Sequence, residues 1–254
     1  MLNDLGQLLA QTLATPGLIW IVLMTLLAGL VYGFAGFDAD LVFMPVVTAI
    51  IPVELAVAAF SVSALASFVS LVPRAWKQAD RPAVGMMIVC AALALPVGIY
   101  ILRSNDVTTM RWAVLGVTTF TLIALMAGWR YTAKPGPVTW AGVALGTGLV
   151  GGATGLVGPI MILFQLGGQD TIERSRANTL VFLTTTGLLM APLLALQGML
   201  GPEALMLGLL LVVPYGVASL VGQAFFYPTK RGLYRTIAYG IIALAVLLGL
   251  PIFH

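Results

Sequence analysis

Asp38 and Asp40 carry the sharpest chemistry in this chain. They follow the cluster Gly33-Phe34-Ala35-Gly36-Phe37 and precede an apolar run. A charge near the centre of a bilayer costs at least about 2.5–3.5 kcal/mol on insertion scales, so residues kept there generally serve a function. Three chemistries are open to the pair. The carboxylates could cap a half-helix and hold the place an anion would take. They could carry a proton, since burial favours the neutral form of a carboxyl. Or they could face water at the tip of a hairpin as ordinary solvated residues. A second cluster, Gly151-Gly152-Ala153-Thr154-Gly155-Leu156-Val157-Gly158-Pro159, repeats the glycine pattern without the acids. A half-helix starting after such a turn presents unpaired N–H groups and a partial positive charge, which suits an anion. Pro159 fits its first turn, where no donor is needed. The plainer reading of the same glycines is close helix packing.

Gly36 and Phe37 from the first cluster, with Thr154, Gly155 and Gly158 from the second, are the expected substrate contacts. The segments that follow add polar groups to apolar helices. Ser61 and Ser63, with Ser67, lie in the first half, and Arg176, Asn178 and Thr179, with Thr184 and Thr185, lie in the second. Arg174 and Arg176 could attract an anion, or could simply anchor the chain at a membrane face. Gln165 and Gln223 could line a pore or bond helix to helix. The tryptophans sit mostly near segment ends and read as interfacial anchors. Asp38 and Asp40 are the candidates for proton coupling. Cys90 has no partner cysteine, and His254, the only histidine, is the last residue. An intrachain disulfide, a histidine relay and a cysteine or histidine metal site are therefore not expected. No cofactor is implied.

Positioning these groups falls to elements that the composition defines. Of 254 residues, 60% are hydrophobic and 8% charged, with a mean hydropathy of +1.06. Soluble domains carry about 25% charged residues. A soluble enzyme, a nucleic-acid binder and a disordered regulator are excluded on that ground. The apolar segments run continuously for about 20 residues, as transmembrane helices do. A β-barrel would instead show roughly ten-residue stretches of alternating polarity. The fold class is an all-α integral membrane protein in a lipid bilayer. Met1–Thr15 lacks a basic stretch and carries Asp4, which argues against a cleaved signal peptide.

The segments are 17–36, 38–51, 54–72, 83–102, 108–129, 137–156, 157–168, 175–197, 203–226 and 234–253. Eight are long enough to span a bilayer, whereas 38–51 and 157–168 read as re-entrant pieces or half-helices. The two halves match at an offset of 119: Gly29-Leu30-Val31 with Gly148-Leu149-Val150, Gly33 with Gly152, Gly36 with Gly155, Glu54 with Glu173, and Pro73 with Pro192. The expectation is one domain, 1–254, built of repeat one, 1–134, and repeat two, 135–254, with about five segments each. If each short segment returns the chain to the side it came from, the halves insert with opposite topology. One face then carries Arg74, Lys77, Arg81, Arg130, Lys134, Arg174, Arg176, Lys230, Arg231 and Arg235, and the other only Arg103 and Arg111. The positive-inside rule prefers that arrangement, with inverted repeats and both termini extracytoplasmic.

The two glycine turns, with Pro45 and Pro159 after them, and the stretch Arg174-Ser175-Arg176-Ala177-Asn178-Thr179 resemble the TauE/SafE sulfite-exporter family over essentially the whole chain. The resemblance implies a secondary transporter in the cell membrane, moving a small sulfur-containing anion such as sulfite or an organosulfonate. The chain departs from the family at Asp38-Ala39-Asp40, where similar members carry several glycines. Two carboxylates repel a bare anion unless they are protonated or offset by cations, which favours proton coupling or a different substrate. A channel-like passive pore and an intramembrane enzyme are the alternatives. The enzyme lacks a nucleophile–base pair. No phosphate-binding Gly-x-x-x-x-Gly-Lys-Ser/Thr motif is present, so pumping by this chain alone is not expected. The sequence neither requires nor precludes a homodimer.

Overall fold

A chain this apolar must satisfy its backbone within its own segments once in lipid, and helices are the local solution. The computed structural model describes residues 2–35, 39–129, 136–165, 172–225 and 231–250. Among the described residues there are twelve helices and no strand. They are α1 (Leu2–Leu13), α2 (Leu18–Ala35), α3 (Asp40–Ile50), α4 (Val53–Ser70), α5 (Val72–Ala75), α6 (Arg81–Ser104), α7 (Val107–Met126), α8 (Pro137–Thr154), α9 (Gly158–Gln165), α10 (Ile172–Leu196), α11 (Pro202–Ala224) and α12 (Arg231–Gly249).

The helix boundaries follow local chemistry. Asp80 caps α6 by accepting from the Ala83 N–H at 3.3 Å. Asp106 caps α7, accepting from the Thr109 N–H at 2.8 Å and the Thr109 hydroxyl at 2.7 Å. These bonds hold the Asp106 carboxyl below the usual carboxylate range, the backbone bond contributing most. Proline begins α8 and α11, where its missing N–H is no loss.

Among the described residues five helices are long and apolar enough to cross a membrane: α4, α6, α7, α10 and α11. α1 and α2 form a sixth candidate, bent by 82° at their junction. The sequence suggested eight spans. In α8 glycine replaces apolar side chains at five positions, and α12 carries Arg231 and Arg235 ahead of its apolar stretch. The two short segments appear as α3 and α9.

The halves share their element pattern. α2 and α8 begin at Leu18 and Pro137, and α4 and α10 at Val53 and Ile172, each pair 119 residues apart. Packing crosses between the halves. α2 lies along α11, with Gly29 against Tyr215 and Gly33 against Ser219 and Gly222. α8 lies along α6, with Gly148 against Ala91 and Gly152 against Leu95 and Gly98. In both pairs the residue numbers rise together, so each pair runs parallel. A Cβ on Gly29 would stand 2.8 Å from the Tyr215 carbonyl oxygen, and one on Gly152 2.5 Å from that of Leu95. Gly33 and Gly152 therefore act as packing surfaces inside helices, the plainer of the two readings for them.

Polar ties fix the ends of α10. Its first two turns hold the turn before α6: Arg174 pairs with Asp80 at 2.7 Å, and Asn178 Oδ1 accepts from the Asp80 N–H at 2.7 Å. Beyond its other end, Gln197 accepts from Arg103 through its carbonyl at 3.1 Å and donates to the Pro96 carbonyl at 3.1 Å.

Candidate functional site

The site begins with the break between α8 and α9. Gly155 has φ +77°, a left-handed conformation that suits glycine. The Thr154 hydroxyl donates to the Val150 carbonyl at 2.7 Å and accepts from the Leu156 N–H at 3.2 Å, which fixes the turn. Val157 lies just outside α9, and its N–H points to the other half of the chain, where it donates to Asp40 Oδ2 at 3.3 Å. Asp40 is the first residue of α3. One short helix thus starts on the carboxylate that meets the approach to the other.

Beside this contact lies a small cavity between α4 and α10, partly open to its surroundings. Val57, Ser61, Ala64 and Ser67 present one face of α4 to it, at helical spacing. α10 contributes Thr184, Gly187 and Met190 from the other half. An aromatic chain crosses the region. Phe43 stacks on Phe60 with centroids 4.2 Å apart, Phe60 meets Tyr215 edge-on at 5.3 Å, and Tyr215 lies 6.2 Å from Tyr32. The Tyr32 hydroxyl is hydrogen-bonded to that of Thr184.

The residues singled out in the sequence divide among several places. Asp40, Ser61 and Gly155 line the cavity together. Thr154 shapes the turn, and Gly158 opens α9. Ser63 is buried, donating to the Phe60 carbonyl at 2.7 Å. Arg176 donates to the Gly33 carbonyl at 2.7 Å, near the end of α2. Asn178 holds the Asp80 turn, and Thr179 donates to the Ser175 carbonyl at 3.0 Å within its own helix. Gly36, Phe37 and Asp38 lie outside the described residues. Among the described residues no cluster of three or more metal-ligating side chains occurs.

Tyr32, Phe60 and Tyr215 were not evident as site residues in the sequence. A signal was there for Tyr215, which lies in the middle of its apolar segment, away from the ends where tyrosine serves as an interfacial anchor; Tyr32, a turn from the end of its own, gave none.

The family model for the sulfite exporter TauE/SafE matches residues 21–249, from the first turn of α2 to the end of α12. The chain belongs to the TauE/SafE family. No curated protein and no solved structure matches it. As a TauE/SafE protein it is a multi-pass membrane transporter, from a family of sulfur-anion exporters. The matched region contains the cavity and every described residue that lines it. In this TauE/SafE chain Asp40 is the one charged side chain among the described residues that line the cavity.

Proposed function

We propose that this protein is a secondary transporter exporting a small sulfur-containing anion, sulfite or an organosulfonate, by alternating access at the α4–α10 cavity, with proton coupling through Asp40. The observation that carries the reading is the bond from the Val157 N–H to the Asp40 carboxylate. An anion seeking the N-terminal end of α9 competes with that carboxylate for the same donor, and the two negative charges repel. Protonating Asp40 removes the repulsion and weakens its hold on the amide. Anion and proton then bind together. A singly charged anion moving with one proton is a neutral pair, so the two concentration gradients set the direction of transport and the membrane potential does not enter. Asp38 shares this role on sequence grounds.

Alternating access needs two bodies that move against each other around a fixed site. The exchanged parallel pairs, α2 with α11 and α8 with α6, support inverted repeats. α6 ends where Arg103 meets Gln197 and α11 starts just after Gln197, so α6 and α11, and the helices parallel to each, run in opposite directions. The Arg174–Asp80 end gathers Arg74, Lys77 and Arg81, which supports a cytoplasmic placement for it and extracytoplasmic termini in the inner membrane.

Reconstituted uptake of sulfite measured against pH tests the reading. Wild-type transport should rise as pH falls, and Asp40→Asn should transport with a flat pH profile. Asp38→Asn and the double variant complete the series. Unchanged uptake and an unchanged profile in all three would remove the proton-coupling role. Saturating, trans-stimulated counterflow distinguishes a carrier from a pore.

A further inference from the structure

Buried hydroxyls in membrane helices usually donate to their own helix, to a carbonyl three or four residues back. This protein follows the habit closely. Thr25, Thr48, Ser61, Ser63, Thr118, Thr121, Thr154, Thr179 and Ser219 all do so, at 2.7–3.0 Å. Among the described residues three buried hydroxyls, those of Ser67, Thr147 and Thr186, have no hydrogen-bond partner. Of these, Ser67 alone lines the cavity. It is 1% exposed, one turn along α4 from the point where Ala64 faces Gly187 of α10. Its backbone is satisfied, since its carbonyl accepts from the Leu71 N–H at 2.8 Å.

A buried hydroxyl without a partner is unfavourable, and its persistence calls for a reason such as a ligand. We propose that Ser67 is a specificity-determining residue of the cavity, its hydroxyl donating to an oxygen of the bound sulfur anion. The inference rests on the transporter reading above. The unprotonated oxygens of a sulfite species or a sulfonate accept hydrogen bonds, which suits a donor that has nothing else to bond. The cavity then has two polar poles. Ser67 lies toward the C-terminal end of α4, while Gly155, which a Cβ would bring within 2.8 Å of Val57, and Asp40 lie toward its N-terminal end. The aromatic rings of Phe60 and Tyr215 form part of the wall. The Asp40 pole governs whether an anion is admitted; the Ser67 pole selects one with an oxygen in reach.

The test compares wild type, Ser67→Ala, Ser67→Thr and the control Thr147→Ala in detergent and in proteoliposomes, with sulfite and taurine as probes. Two readings are taken: the melting temperature with and without probe, and KM and Vmax of counterflow. Because the hydroxyl is unsatisfied in the empty protein, Ser67→Ala should melt at the wild-type temperature or higher. Its affinity and KM for the better probe should nevertheless weaken about ten- to hundredfold, with a smaller change in Vmax, the range expected for a hydrogen bond to a charged group. Ser67→Thr should retain most of the affinity, and Thr147→Ala should match wild type in probe binding. A Ser67→Ala protein that melts lower yet binds the probe as wild type does would make Ser67 a structural residue and overturn the proposal. Equal losses in the alanine and threonine variants would overturn it too. A folded wild type that responds to neither probe would overturn the sulfur-anion reading itself, and this inference with it.

Discussion

Tyr32 on α2 and Thr184 on α10 are 152 positions apart, and their hydroxyls share a hydrogen bond at the cavity wall. The bond ties the first half of the chain to the second beside the site. Tyr32→Phe and Thr184→Val each remove one partner and should each lower stability by about 1 kcal/mol. The double variant should cost less than the two losses added together, because the bond can be lost only once. Thermal or denaturant unfolding in detergent measures the coupling, and strict additivity would show the two hydroxyls to be independent.

The glycines at the exchanged helix pairs should be far less tolerant than those facing outward. Gly152→Ala drives a methyl group into the Leu95 carbonyl and should destabilise the fold by about 1–3 kcal/mol. Gly85 and Gly142 have open space around them, and alanine there should be neutral or slightly stabilising. Melting temperatures of the three variants decide the matter. Equal effects would mean that α6 and α8 do not pack this closely.

Asp106 offers a pH-dependent term outside the spans. Its carboxyl is held below its usual range by the Thr109 backbone and hydroxyl bonds, so the folded state favours its charged form. The stabilisation is fully present above the ordinary carboxylate range and fades as pH falls through the lowered folded value. Asp106→Ala should therefore melt below wild type at neutral pH, and the gap should close in strong acid. A gap that persists unchanged at low pH would assign the effect to something other than the cap's charge.

The sequence made much of the architecture legible, and the reasons are local. Apolar runs of spanning length define membrane helices, because lipid leaves an unpaired backbone nowhere to bond. The breaks before α3 and α9 could be read from glycine clusters followed by short apolar segments, and the 119-residue spacing of matching helix starts from matched prolines and glutamates. The site was only partly legible. Arg176, Asn178 and Thr179 occupy neighbouring positions on one helix, yet their side chains bond to the end of α2, to the Asp80 turn and to α10 itself. Glycine was ambiguous as well: Gly152 and Gly155 lie in one cluster, but the first packs inside a helix and the second breaks one.

What the chain determined by itself was its solvent, its helices and the places where they break, since each depends on residues close in sequence. Tertiary structure alone decided that Asp40 meets Val157 across 117 positions, and that Ser67 lines a cavity while Ser63 does not. Those outcomes depend on how helices from two halves of the chain rotate and cross. That geometry is set by side-chain packing summed over many distant contacts, and no local pattern encodes it.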